Sequence, residues 1–319
     1  MSPLTNARRS LATAVNRCLD RIRPIRGETT AEDISQSDVS RRTFLRRASV
    51  AGGAVVVAGV TVPQSASAGK QEEYACDWDR TDDSHIPWDT DGEYGGWGGH
   101  DYWETSPGTE RTPVVFVHGN GGEACNYDDA AEHLFEHGWA GDDLWGISFG
   151  TFTAGHDLMK DQLDDFVQHV LDETGATEID VVAHSVGVTG VRYWLQEYDR
   201  YDWVRRFVGM SGANDGVCVC PGCYDTTLGK DYDSWLGSGE LCEFVAKQCL
   251  LIPGHPLLEL NYPDPTPGDI DYYMMRGVYD VLYTCDWTSP YLDGAQNDWF
   301  MEGHAGLLLR VDAIRERLE

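Results

Sequence analysis

The rhythm of apolar and polar positions changes near residue 113. Residues 69–111 are polar and rich in Gly, Trp and Tyr, as in Gly95-Gly96-Trp97-Gly98-Gly99, and follow neither the two-residue period of a strand nor the 3.6-residue period of a helix. They are expected to form an extended N-terminal arm that packs by its aromatics. Beyond it, short apolar runs alternate with amphipathic stretches. The runs predict strands at 114–118, 144–148, 179–183, 204–210, 271–278 and 297–301, and the amphipathic stretches predict helices at 128–137, 158–174, 186–198 and 305–318. In the second of these helices Leu163, Phe166, Val167, Val170 and Leu171 share one face, with acidic residues opposite. Strands alternating with helices imply an α/β fold with a mostly parallel central sheet covered on both faces.

The stretch 214–270 breaks the alternation. It holds Cys218, Cys220, Cys223, Cys242 and Cys249 together with several Gly and Pro, and it lies between two strands. An insertion there stands above the carboxyl ends of the strands, where α/β proteins bind ligands. It is read as a disulfide-stapled cap, with a structural excursion away from any site as the alternative.

Three segments carry candidate chemistry. The apolar run Ile179-Asp180-Val181-Val182 leads into Ala183-His184-Ser185-Val186-Gly187 and then into a helix. A serine on a sharp strand-to-helix turn, with small residues two before and two after, has the form of a nucleophile elbow. Upstream, Val114-Val115-Phe116-Val117 runs into His118-Gly119-Asn120-Gly121-Gly122, a Gly-rich loop whose backbone can approach a ligand. Downstream, His304 stands in a short loop before the last helix. Acyl transfer through a serine needs an activated hydroxyl, a base that cycles its proton, and donors for the oxyanion. Ser185 is the candidate nucleophile, His304 the candidate base, and Asp280, just past the strand 271–278, the candidate orienting acid. Asp286, Asp293 and Asp215 are the alternatives for the acid. The candidate oxyanion donors are the backbone N–H groups of Asn120 and Val186, the second at a helix N-terminus. His118 and His184 flank the site and are read as structural. His133, His137, His156, His169 and His255 have no metal-ligand spacing and are read as surface residues. No cofactor or metal is called for.

These segments, in this order, resemble the α/β-hydrolases, and more closely the small secreted lipases of bacilli, the class 2 lipases. The resemblance rests on 117–122, on Val170-Leu171-Asp172-Glu173-Thr174-Gly175-Ala176, on 180–187 with its Ala-x-Ser-x-Gly form, and on Gly212-Ala213-Asn214, Tyr291-Leu292-Asp293-Gly294-Ala295 and Gly303-His304-Ala305-Gly306. It covers roughly 113–214 and 271–318, and it implies a minimal α/β-hydrolase with lipase or carboxylesterase activity on an ester or lipid substrate. Asp280 falls at that family's acid position. The chain departs from the family in its arm, in the insertion 214–270, and in Val186, where the family usually has Met. Some extracellular polyhydroxyalkanoate depolymerases share the elbow type, so a polyester is an alternative substrate. The rival reading from another class, a non-catalytic hydrolase-like binding protein, is opposed by the filled serine, acid and histidine positions.

Charge adds an environment. The 319 residues hold 24 Lys and Arg against 53 Asp and Glu, a net charge of −29. Ser40-Arg41-Arg42-Thr43-Phe44-Leu45-Arg46 has the form of a twin-arginine export signal, followed by a weakly apolar stretch and the small-residue pattern Ala66-Ser67-Ala68. That stretch, Ala48 to Val62, is about 15 residues and falls short of the roughly 20 that span a bilayer. Residues 1–68 are therefore expected to be a cleaved signal segment on a secreted protein without stable membrane insertion. They contain 10 of the basic and 5 of the acidic residues, which leaves 14 against 48 and a net charge of −34. Such a surface repels itself in dilute buffer and is screened at molar salt. The composition is similar to that of haloarchaeal proteins, and it excludes nucleic acid as a partner. Of nine cysteines, Cys18 leaves with the signal, and the eight that remain imply disulfides in an oxidising compartment. Zinc is the alternative at Cys218, Cys220 and Cys223.

Overall fold

A computed structural model describes residues 75–217, 244–245, 254–284 and 286–319. The chain divides into a unit Met1–Thr61, outside the described residues, and a unit Val62–Glu319 that contains everything below. Seven strands form one sheet: β1 (Gly95–Gly98), β2 (Val114–Val117), β3 (Leu144–Ser148), β4 (Ile179–His184), β5 (Val204–Met210), β6 (Asp271–Gly277) and β7 (Gln296–Phe300). Their order is β1-β3-β2-β4-β5-β6-β7, with β1 antiparallel and the rest parallel. The helices are α1 (Gly99–Trp103), α2 (Asp128–Glu136), α3 (His156–Thr174), α4 (Val186–Tyr198), α5 (Pro256–Asn261) and α6 (Val311–Leu318).

The central strands are largely apolar because each face of the sheet is buried; the exceptions are Ser148, Asp180, His184, Arg205 and Arg206, of which Asp180 and Arg205 pair with each other. Val115, Val117, Val181, Ala183 and Phe207 pack with Met159, Leu163, Phe166, Val167 and Val170 of α3 and with Val188, Val191 and Trp194 of α4. The alternate residues Val114, Phe116, Val182, Val208 and Met210 pack with Ala130, Ala131 and Leu134 of α2 and with Ala313, Ile314 and Leu318 of α6. A two-residue strand period meeting two helical faces makes this the three-layer arrangement expected from the sequence.

Four local expectations are corrected. The N-terminal arm packs by aromatics, with Trp97 stacked on Tyr102 and Trp88 on Trp145. It also supplies the edge strand β1, where no element was expected. Glycines hide this strand because they serve close approach rather than alternation: a Cβ on Gly98 would stand 2.5 Å from the Trp145 ring. The stretch 305–318 is a 3-10 turn, Ala305–Leu309, and then α6, broken at Arg310, whose φ of −87° and ψ of 52° leave the helical region. The insertion contains the short helix α5. Finally, His156 and His255 are buried rather than on the surface. His156 donates from Nε2 to the Thr189 hydroxyl at 2.8 Å and stacks 3.5 Å from the Phe244 ring, and burial pushes its pKa down to about 3. His137 is exposed, while His133 and His169 are half-buried.

Both ends of the β5–β6 connection meet one buried side chain of α4. Arg192 donates to Asn214 Oδ1 at 3.2 Å where the chain leaves β5, and to the Leu260 carbonyl at 2.7 Å and Asn261 Oδ1 at 2.9 Å where it returns. Asn261 in turn donates to the Asn214 carbonyl at 2.7 Å. The expected disulfide cap lies mostly outside the described residues, as do Cys218, Cys220, Cys223, Cys242, Cys249 and Cys285. The described disulfide joins Cys76 to Cys125.

Candidate active site

Ser185 stands between β4 and α4 with φ 57° and ψ −128°, a backbone conformation that costs a non-glycine residue free energy. Its neighbours impose it. Ala183 is fully buried in the sheet between Val117 of β2 and Gly209 of β5. A Cβ on Gly187 would lie 2.5 Å from the His118 carbonyl oxygen, so α4 can begin there only with glycine. The Ser185 N–H donates to the Met210 carbonyl at 2.8 Å, tying the turn to the end of β5.

Two loops converge on that serine. His304 Nε2 lies 2.9 Å from Ser185 Oγ, and His304 Nδ1 lies 2.7 Å from Asp280 Oδ2. A carboxylate only accepts, so Nδ1 carries the proton and Nε2 is left to accept from the serine hydroxyl. Asp280 follows β6 by three residues, and its side chain is buried. Its other oxygen accepts from the Leu282 N–H at 3.0 Å. Burial pulls the Asp280 pKa upward, but the facing His304, with its charge and hydrogen bond, the Ser211 hydroxyl and the Leu282 N–H together hold it below the ordinary carboxylate value. The acid and histidine loops are strapped to each other: Val278 N–H donates to the Phe300 carbonyl at 2.8 Å and Tyr279 N–H to the Glu302 carbonyl at 2.9 Å.

Of the other acids weighed from the sequence, Asp286 turns back on Thr288 at 2.6 Å, Asp293 is exposed, and Asp215 bonds through its N–H to the Ser289 carbonyl. The partner of His304 Nδ1 is Asp280.

The two remaining histidines of the site act as neutral spacers. His184 donates from Nε2 to the backbone carbonyl of His304 at 3.0 Å. His118 donates from Nδ1 to the Gly119 carbonyl at 2.7 Å and accepts the Phe149 N–H on Nε2 at 3.0 Å. Burial pushes each pKa down to about 3, aided at His184 by the nearby charge of His304.

The Gly-rich loop presses on Ser185. A Cβ on Gly119 would stand 2.7 Å from Ser185 Cβ and 3.3 Å from Ser185 Oγ. Asn120 is the next residue. On the other side, Val186 opens α4, and the first N–H groups of a helix have no intrahelical acceptor. Two residues outside these segments were not singled out from sequence, Arg80 and Glu123, which form an ion pair at 3.0 Å beside the loop. The available signal was compositional: Arg80 is the sole Lys or Arg between residues 71 and 110.

The sheet order, the strained serine turn and the acid's place after the next-to-last strand define an α/β-hydrolase fold. The sequence model of the lipase (class 2) family matches residues 111–230, from just before β2 into the insertion. Among solved structures, the mature form of a Bacillus licheniformis lipase is similar at 15% identity and a TM-score of 0.47, over 64% of this chain and 91% of that one. Aspergillus fumigatus lipase B is similar at 13% identity and a TM-score of 0.48, over 64% of this chain and 52% of that one. A thermophilic esterase from Thermogutta terrifontis is similar at 15% identity and a TM-score of 0.42, over 66% and 89%.

Proposed function

We propose that this protein is a serine hydrolase of carboxylic esters. The observation that carries the reading is the relay from Ser185 Oγ to His304 Nε2 at 2.9 Å and from His304 Nδ1 to Asp280 at 2.7 Å. The serine oxygen attacks the ester carbonyl carbon while its proton passes to Nε2. The carbonyl oxygen becomes an oxyanion that the N–H groups of Val186 and Asn120 receive. Collapse expels the alcohol, which takes the proton from Nε2 and leaves an acyl-serine. Water then attacks that ester with Nε2 as base, and the acid departs with Ser185 restored. Asp280 stays ionised and fixes the ring's tautomer.

An apolar acyl group suits the surroundings. Phe152, whose carbonyl accepts from Gly121 N–H, is 64% exposed, and Tyr279 and Val281 on either side of Asp280 are 61% and 58% exposed. Export through the twin-arginine route is part of the same proposal. The disulfide between Cys76 and Cys125 supports it, since such bonds persist in oxidising compartments. Among the described residues no helix is long and apolar enough to cross a membrane.

A fluorophosphonate probe and a panel of short and long acyl esters, a polyester film and a simple amide test the assignment. Wild type should be labelled and should cleave esters, whereas Ser185→Ala should keep its fold, take no label and lose several orders of magnitude in turnover. Full activity in Ser185→Ala would sink it.

A further inference from the structure

The loop that offers Asn120 is held from outside by the N-terminal arm. The turn Gly119–Gly122 is closed by Gly122 N–H donating to the Gly119 carbonyl at 3.1 Å, and Gly121 N–H donates to the Phe152 carbonyl at 2.9 Å. Across the gap between this turn and the loop after β3 lies the guanidinium of Arg80. Its Nη1 donates to the Gly122 carbonyl at 3.1 Å, to the Phe149 carbonyl at 3.0 Å and, at 3.5 Å, to the Thr151 carbonyl. Its Nη2 donates to Glu123 Oε1 at 3.0 Å. The other oxygen of Glu123 accepts the Cys76 N–H at 2.8 Å, and Cys76 is bonded through sulfur to Cys125, two residues beyond Glu123. The Arg80 side chain is 12% exposed, so water competes little for these bonds.

These contacts form a closed circuit: arm, disulfide, Glu123, Arg80, the Gly119–Gly122 turn, and back through the peptide chain. A planar fork with fixed donor directions suits such bridging better than an ammonium does. The turn it bridges abuts the nucleophile. Oxyanion donors work only within a narrow range of distance, and a misplacement of about 1 Å can cost roughly a hundredfold in rate.

We propose that Arg80 is a positioning residue for the oxyanion loop, locked in place by Glu123 and the Cys76–Cys125 disulfide, so that the N-terminal arm belongs to the catalytic apparatus. The inference rests on the esterase reading. It touches no substrate atom; it acts through the backbone of Gly119–Gly122.

The test uses the full chain in molar salt with a p-nitrophenyl butyrate assay. Arg80→Met should lower kcat about 10- to 100-fold with KM within about threefold, because the loss falls on the transition state. Arg80→Lys should keep an intermediate kcat, and methylguanidinium added to Arg80→Ala should restore part of it. Cys76→Ser with Cys125→Ser should lower kcat in the same direction, by about fivefold. Fluorophosphonate should still label Ser185 to completion in every variant, but more slowly. If Arg80→Met fails to fold, Arg80→Lys decides alone: a kcat down about fivefold or more supports the role. Variants whose kcat matches an active wild type, or whose loss lies in KM, overturn the proposal and leave the esterase reading standing. A wild type that cleaves no ester and takes no fluorophosphonate overturns both.

Discussion

The ring of His184 donates a hydrogen bond to the backbone carbonyl of His304, 3.0 Å away, so the residue just before the proposed nucleophile Ser185 holds the main chain of its proposed base. The two rings lie 4.7 Å apart at their centroids. Because burial lowers the His184 pKa to about 3, this donor stays neutral throughout the proposed reaction. Replacing it should disturb base geometry before it disturbs the fold. His184→Ala should lower kcat about tenfold and cost roughly 1–3 kcal/mol of stability, the range for removing one partner of a buried hydrogen bond. His184→Gln should retain more of both. Steady-state kinetics paired with thermal melts check this, and an alanine variant with wild-type kcat contradicts it.

Gly119 is fixed by contact. Its substitution by alanine places a methyl 2.7 Å from Ser185 Cβ and 3.0 Å from the His184 carbonyl oxygen, and both neighbours belong to the strained turn. The loop must therefore retreat. Gly119→Ala should reduce kcat by about two orders of magnitude, as expected when an oxyanion donor is displaced. Gly187→Ala should instead destabilise by about 1–3 kcal/mol, since its methyl meets backbone carbonyls at 2.5 and 2.9 Å. Chemical denaturation alongside kinetics separates the two outcomes.

Acid should unfold this protein through its histidines. His118, His156 and His184 have folded pKa values near 3 against an ordinary 6.5, because burial penalises their cations. The unfolded chain binds protons first, so their contribution is complete above pH 6.5 and declines as pH falls toward 3. Asp280, depressed by its partners, adds a loss only below its ordinary 3.8. Urea unfolding in molar salt, where carboxylate repulsion is screened, should show stability falling by about 4 kcal/mol per pH unit between pH 6 and 4. His156→Gln should remove about a third of that slope. A stability constant across this window would refute the assignment of neutral buried imidazoles.

Salt should act on the surface in the opposite sense to acid. With 48 acidic and 14 basic residues after position 68, self-repulsion is expected to be large in dilute buffer and largely screened at 1 M, where the Debye length is about 3 Å. The melting temperature should rise steeply from dilute buffer to molar sodium chloride. A melting temperature indifferent to salt would contradict this.

Parts of the molecule buried on two faces were legible in the sequence. Val114–Val117, Leu144–Ser148, Ile179–His184 and Val204–Met210 are mostly apolar because both faces meet helices, and each lies within a residue of its expected bounds. The positions of Ser185, Asp280 and His304 could be singled out because each follows a strand end. β1 was not legible: Gly95–Gly98 forms a strand by virtue of having almost no side chains, so it leaves no period to read. The burial of His156 depends on Thr189 and Phe244, distant in sequence, and nothing local announces it. The Arg80 bridge was hidden for the same reason, since its partners at 122, 123 and 149 are at least 42 residues away.

Arg192 carries a different lesson, about how such a chain changes over time. One guanidinium grips Asn214 at the exit and Leu260, Asn261 and Pro265 at the re-entry, so both described ends of the long β5–β6 connection are tied to α4. A change of length between those two ends would meet the same anchor on the helix that begins just after Ser185. Arg192 acts as a socket: it would keep α4 in place while the piece plugged into it varied, as loops vary more readily than the elements they connect.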